Sequence, residues 1–426
     1  MMNFTEQIRC RVCHGWLDVV VDFGEIYPSG FVKDQEGIEK APLALTQCRS
    51  CGLVQLRHTV ELDSMYKQYW YRSGLNKSML RDLEDVIKCS EKEVKLYSDD
   101  VMVDIGCNDG SMFSYLTNKK VVTVGFDPAL NLSEGAEKNC NVFINDYFSA
   151  DKYPPNLPKA RLITSIAMFY DLPDPNWFVE EVKKIMDETG IWVIQFTDLF
   201  SMLTLNAFDN VCHEHLEYYS IRNMVDLMHT HGLDVYRADQ NAVNGGSLRV
   251  YVCYNGKRKE DGSVRKYLET EKAFMSSMEN PFKQFGENVH KCREDLFNLI
   301  ASLKKQNMKI FGMGASTKGN TLLQVFGINN EIIPYIAEVN EDKFGLRTVG
   351  TDIPIISEEE AFKMEPDVFL LLPWHFLKNI IERHAKFMND KNGAFITPLP
   401  TPQLYYMKEG KIWTLATRPP ETDSKT

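Results

Sequence analysis

The stretch 101-VMVDIGCNDGSMF-113 decides how the rest of the chain is read. Val101, Met102, Val103 and Ile105 flank Asp104 as a short apolar run, which suits a buried strand. Gly106 and Gly110 bracket a turn that leads into Ser111, Met112 and Phe113 with helical character. Glycine at a strand-to-helix turn takes positive φ without steric cost and lets the backbone approach a ligand. A second strand is expected over 121-VVTVGFD-127, ending on Asp127. That carboxylate follows the first glycine by about 20 residues, where an open α/β sheet meets a ribose. The spacing is Gly-x-x-x-Gly, so the dinucleotide fingerprint Gly-x-Gly-x-x-Gly is not met.

Around this stretch the bulk properties are those of a globular protein. The 426 residues are 44% hydrophobic and 25% charged, and such a length predicts two or three domains. A net charge of −11 argues against a nucleic-acid partner, and any phosphate site must be local. The N-terminus shows no basic-then-apolar signal, and no apolar run reaches membrane-spanning length. With 10 cysteines and no secretory signal, a reducing, cytoplasmic setting is expected, where paired cysteines more often hold metal than form disulfides.

Cys10-Arg-Val-Cys13 recurs as Cys48-Arg-Ser-Cys51. Two such knuckles supply four thiolates, a closed tetrahedral shell for a structural zinc ion with no open position for catalysis. Then Tyr66, Tyr69, Trp70 and Tyr71 crowd beside Arg72 and Ser73. They suit a ligand wall, or equally an apolar seam between two segments. From about residue 80 to 250 helical and strand patterns alternate, as in a parallel α/β sheet. Asp146 would end a third strand. After a strand from Leu162, the breaker Asp171-Leu-Pro-Asp-Pro175 starts an amphipathic helix closed by Gly190, followed by the strand 191-IWVIQFTD-198. The loops after such strands line the active site, which nominates Tyr170, Asp171, Gln195 and Asp198.

The densest cluster is 208-FDNVCHEHLEYYS-220. No packing rule asks for Asp209, His213, Glu214, His215, Glu217, Tyr218 and Tyr219 so close together, because such groups are costly to bury unpaired. His-x-His is not the His-Glu-x-x-His pair of zinc proteases. A histidine oriented by a carboxylate suits a general base near neutral pH. Next come 244-NGGSLRVYV-252, a charged connector, and a second α/β segment. There 308-MKIFGMGA-315 meets a turn through Ser316, Thr317, Lys318 and Asn320 at a helix start. Backbone N–H groups there suit a diphosphate, or the turn is purely structural.

In order, these pieces resemble the SAM-dependent C-methyltransferases that act on nucleotide-linked sugars. The motifs that carry the resemblance are the paired Cys-x-x-Cys opening and Tyr-x-Tyr-Arg-Ser at 69–73. They continue with Asp104-x-Gly106-x-Asn108-Asp109-Gly110, Asp-Asn-Val-Cys-His-Glu-His, Gly-Gly-Ser-Leu-Arg249 and Gly314-Ala-Ser316-Thr-Lys318-Gly. The resemblance implies an α/β fold of three parts and a tail: a zinc-binding module over 1–75, a class I methyltransferase doubly wound sheet over 76–255, a Rossmann-like domain over 256–410, and 411–426. It implies that Asp104, Gly106, Asn108, Asp109, Gly110 and Asp127 hold SAM, with Asp146 and Gln195 beside it. Cys10, Cys13, Cys48 and Cys51 would hold zinc. The implied reaction is methylation of a carbon beside a ketone, typically C3 of a nucleoside-diphosphate 4-keto-deoxysugar. His215 would take the proton, with Glu214, His213, Tyr219 and Asp171 around it. Tyr69, Tyr71, Arg72, Asn244, Arg249, Ser316, Lys318 and Asn320 would contact the acceptor. The chain departs from the family pattern at Cys212, Asp171 and Asn244, all on the ketone side. An O- or N-methyltransferase, or a non-catalytic SAM-fold binding protein, is the alternative.

Overall fold

The computed structural model describes residues 4–61, 65, 69–75 and 77–416. The chain folds into two compact units. One comprises Met1–Asp22, Leu43–Met202 and His213–Glu279, and the other Phe23–Pro42, Leu203–Cys212 and Asn280–Thr426. The expected boundaries after residues 75 and 255 both fall inside the first unit.

In the first unit, β1 (Ala41–Cys48) and β2 (Val54–Leu56) form a small antiparallel sheet beside the four cysteines. Helix α1 (Lys77–Glu93) precedes the main sheet. The strands of that sheet are β3 (Val101–Ile105), β4 (Val122–Phe126), β5 (Val142–Ile144), β6 (Ala160–Ile166) and β7 (Met186–Thr197). A two-residue strand, β8 (Glu217–Tyr218), belongs to the small sheet, and β9 (Leu233–Asn241) and β10 (Ser247–Tyr254) complete the large one. Its order is β9-β10-β7-β6-β3-β4-β5, parallel except where β10 runs antiparallel to β7 and β9. This is the class I methyltransferase sheet that the sequence led us to expect. Strand order reverses between β3 and β6, and a crevice opens beyond the carboxyl ends at such a switch point.

All residues of β3 are buried, and their side chains alternate. Val101, Val103 and Ile105 enter one core cluster and Met102 another, so both sheet faces are covered. One local expectation fails. Gly190 does not close the helix after Pro175, which ends at Ile185; it lies inside β7 at a shift of register against β6. A Cβ there would stand 2.8 Å from the carbonyl oxygen of Ala160, so the glycine serves a bulge.

The second unit carries its own sheet. It contains β11 (Ile310–Met313), β12 (Ile336–Glu338), β13 (Ile355–Ser357), β14 (Val368–Leu371), β15 (Ala394–Thr397), β16 (Gln403–Lys408) and β17 (Lys411–Ala416). The order β13-β12-β11-β14-β15-β16-β17 is parallel up to β15 and antiparallel beyond it. Residues 411–416, expected as part of a tail, form the edge strand, and 417–426 lie outside the described residues.

Candidate functional site

The glycine turn after β3 is more demanding than the two glycines suggest. Gly106, Asn108 and Gly110 have φ of 76°, 53° and 71°. A Cβ on Gly106 would come within 3.0 Å of the Met168 side chain. Asparagine is among the few side-chain-bearing residues that tolerate this left-handed region. The turn is tied to the end of β4, because Asp127 accepts hydrogen bonds from the backbone of Asn108 at 2.8 Å and Ala129 at 2.9 Å. Burial pushes the Asp127 carboxyl up to about 6, against the pull of those two donors. Burial also pushes Asp104 up to about 8, although the Thr164 hydroxyl donates to it at 2.7 Å.

Both values lie above the ordinary carboxylate range, so the folded protein holds these protons more tightly than the unfolded chain. Their contribution to stability is present at low pH and lost as pH climbs from about 4 towards 8. Were Asp127 to accept the ribose hydroxyls, as the resemblance implies, it would do so more strongly when ionised, since hydrogen bonds to a charged acceptor are roughly twice as strong as neutral ones. SAM affinity should therefore rise between pH 5 and 7 and level off above, and Asp127→Asn should flatten that curve. Titration calorimetry across pH checks this, and an unchanged slope in the variant would sink it.

Asn108 and Asp109 turn their side chains to a strap formed by residues 69–74. The Asn108 oxygen accepts from the Ser73 N–H at 3.0 Å, and its amide donates to the Tyr71 carbonyl at 3.0 Å. Asp109 accepts from the Gly74 N–H at 2.9 Å. Tyr69 is pinned to Asn131 through its backbone in both directions, at 3.0 and 2.9 Å. Burial raises the Tyr69 phenol well above its ordinary range, and the carboxylates of Glu214, Asp171 and Asp127 add to the effect. Tyr69 is thus within electrostatic reach of Asp127 and of Glu214 and Asp171. Tyr66 lies outside the described residues.

His213, Glu214 and His215 are all buried, and the His215 ring packs edge-on against Tyr170 with centroids 4.5 Å apart. A histidine with adjoining carboxylates in a water-poor crevice can take up a proton from a weak carbon acid. Tyr219 goes elsewhere. It is fully buried between Phe169 and Phe196 in the core, close to Glu217 and Arg11. Asp146, just past β5, is exposed and paired with Lys152 at 2.7 Å. Asp198 is buried as the acceptor for the backbone and hydroxyl of Ser201, at 2.9 and 2.8 Å. Asn244 has φ of 55° in the turn before β10.

Gln195 and Arg249 belong to one buried network. Gln195 donates to Asp82 at 2.6 Å and accepts from Arg249 at 2.9 Å and Asn241 at 3.0 Å. Arg249 also reaches Asp82 at 3.1 Å and Asp85 at 2.9 Å. Neighbouring protein groups thus engage both residues expected at ligands. Removing one partner of a buried ion pair strands the other charge, at about 3–5 kcal/mol. Arg249→Met should destabilise the protein by that order in urea unfolding, and a change below about 1 kcal/mol would contradict the network's role.

In the second unit, helix α2 (Thr317–Phe326) begins at Ser316, whose hydroxyl caps it by accepting from the Gly319 N–H at 2.9 Å. Lys318 donates to Asn210 and lies near Asp209, which accepts from the Trp374 indole at 2.9 Å. Asn320 is fully buried and donates to the Gly30 carbonyl at 2.9 Å. Of the three residues of this turn expected to contact the acceptor, Ser316 and Asn320 thus have structural work, and Lys318 alone brings a cation to the helix start. His375 was missed in sequence; burial and Lys318 push it down to about 3. The carboxyl-end rule applied to the strand ending at Leu371 would have flagged it. Glu338, ending β12, accepts from the Ala315 N–H at 2.8 Å, an echo of Asp127, but Lys343 lies 3.8 Å from it.

The thiols of Cys10, Cys13, Cys48 and Cys51 converge, all sulfurs lying within 4.8 Å of one another. Four thiols at that spacing fit a closed structural zinc shell. Among the described residues no helix is long and apolar enough to cross a membrane.

Three family models match the chain in order: a zinc binding domain over 10–66, a methyltransferase domain over 77–238, and a C-methyltransferase C-terminal domain over 242–400. The C-methyltransferase NovU of Streptomyces niveus is 29% identical over 409 residues, 93% of this chain and 96% of the relative. Among solved structures, the plantazolicin methyltransferase BpumL in complex with SAH is 13% identical, with a TM-score of 0.34, over 41% of this chain and 82% of its own. A SAM-dependent methyltransferase from Clostridium acetobutylicum is also 13% identical, with a TM-score of 0.34, over 42% of this chain and 92% of its own.

Proposed function

We propose that the acceptor of this SAM-dependent C-methyltransferase, which carries a structural zinc module, is a small nucleotide-linked ketosugar methylated at the carbon beside the ketone. The observation that supports this reading is the buried His213-Glu214-His215 block, with the His215 ring packed edge-on against Tyr170. Bound SAM supplies a methyl group on a sulfonium. Asp127 would accept the ribose hydroxyls, and the turn from Gly106 to Gly110 would let the backbone close on the cofactor.

A C–H beside a carbonyl is acidic because the anion delocalises onto oxygen, so the protein must supply a base at carbon and donors at oxygen. His215 takes the proton, held edge-on by Tyr170, with Glu214 next to it to stabilise the imidazolium. Tyr69, kept neutral by its surroundings, donates to the enolate oxygen. Holding the carbanion in line with the methyl group supplies much of the rate. The base then returns its proton to solvent. NovU is named a C-methyltransferase, which supports carbon as the acceptor atom here.

The test is incubation of the protein with methyl-labelled SAM and a panel of nucleotide-linked 4-ketosugars in deuterated buffer. Label on the carbon beside the ketone, together with deuterium entry there, is the expected result. Neither signal across the panel would overturn the acceptor.

A further inference from the structure

The segment that carries His215 is held by more than the methyltransferase sheet. Directly after it, Leu216 donates its N–H to the Tyr170 carbonyl at 2.8 Å and accepts at its own carbonyl from the Leu56 N–H at 2.9 Å. Glu217 and Tyr218 then pair antiparallel with Gln55 and Val54, so the end of the acid–base block is a strand of the cysteine module's sheet. Beneath this strand pair lies Arg11, from within the first cysteine knuckle. It donates to the Leu56 carbonyl at 2.9 Å and to the Thr59 hydroxyl at 2.7 Å, and its Nε stands 3.4 Å from the Glu217 carboxylate. The Arg11 and Glu217 side chains are 2% and 0% exposed. Asn223, on the helix that follows the block, donates to the Cys51 carbonyl of the second knuckle at 3.0 Å.

A buried ion pair is a poor device for stability, since desolvation offsets most of the attraction and apolar replacements are often neutral. Its better-attested use is to fix register and orientation. A slip of one residue between β2 and β8 would turn every side chain of the block to the opposite face. We propose that Arg11 and Glu217 are positioning residues: through them the zinc knuckle sets the register of residues 213–218 and so places His215. This rests on the reading of His215 as the base. Zinc then serves catalysis from outside the crevice, by holding the strand on which the base is mounted.

The decisive protein is the double variant Arg11→Met/Glu217→Leu, which removes both charges and leaves none stranded. It is expected to fold, keep its zinc and bind SAM as before. Its kcat should fall by about a hundredfold, the scale of a 1 Å misplacement, with KM for the acceptor little changed and the acid limb of the pH profile displaced. Arg11→Lys, which keeps the charge and loses the planar fork, should lie between. Hydrogen–deuterium exchange on the unsubstituted protein gives a readout independent of turnover: zinc removal should speed exchange at 213–218 before it does at 101–105. A double variant with unchanged kcat and unchanged exchange over 213–218 overturns the positioning role. If the double variant does not fold, the exchange result on the unsubstituted protein decides alone. Separately, an active His215→Ala protein would overturn the reading of the base and leave the register argument to the exchange data.

Discussion

His215→Ala should abolish methyl transfer while leaving SAM binding intact. General-base catalysis contributes about 10²–10⁴-fold, and a carbon acid depends on it more than a hydroxyl or amine acceptor would. The separation of effects follows from placement. His215 packs on Tyr170, whereas the turn from Gly106 to Gly110 is held by Asp127 and by the strap at 69–74. Losing the imidazole therefore leaves a void beside Tyr170 without disturbing the cofactor-side hydrogen bonds. Single-turnover rates and calorimetric SAM affinity, measured on one preparation, decide the matter. A parallel loss of both would mean that the histidine is structural, and retained solvent exchange at the acceptor carbon would move the base elsewhere.

The second large effect is expected at the zinc module. Cys48 is buried and its sulfur stands 3.3 Å from that of Cys13. Free energies of structural zinc binding are about 10–16 kcal/mol in small domains, where binding and folding are one event. Here Cys10, Cys48 and Leu53 also belong to the main core cluster, so part of the module's order comes from packing. Even a third of the metal's contribution, on the scale of a few degrees per kcal/mol, lowers the thermal midpoint by about 10 °C. Cys48→Ser should therefore purify with little zinc and unfold about 10 °C or more below the parent. Metal analysis and calorimetry check both, and a zinc-free protein with an unchanged midpoint would refute the structural role.

What the sequence made legible was local chemistry. The strand at 101–105, the glycine turn, Asp127 and the four cysteines each follow a spacing rule that needs no knowledge of the rest of the chain. Long-range pairing was not legible. Nothing in the residues around Gln195 or Arg249 announces that Asp82 and Asp85, far away in sequence, complete their hydrogen bonds. Tyr219 was grouped with its neighbours in the acid–base block, yet β8 is followed by a residue that turns into the core. Gly190 was read as a helix stop because glycine ends helices more often than it fills bulges, and only the pairing of β6 with β7 distinguishes the two. The division of the block between units, with Asp209 beside Trp374 and His213 in the first unit, follows from tertiary contacts that no spacing encodes.

The discontinuity of the second unit has a consequence in time. Residues 23–42 belong with 280–426, and their partners are specific: Tyr27 bonds Gln324 at 2.8 Å, and Phe31 and Val32 pair with Thr348 and Arg347. On a ribosome adding about 5–20 residues per second, some 240 residues separate the two, a delay of roughly 12–50 s. For that interval Ile26 and Phe31, buried in the finished protein, have none of those later partners to cover them. The early chain therefore keeps that apolar surface uncovered until residues 280–426 have emerged, and a protein cut at the end of the first unit would keep it so permanently.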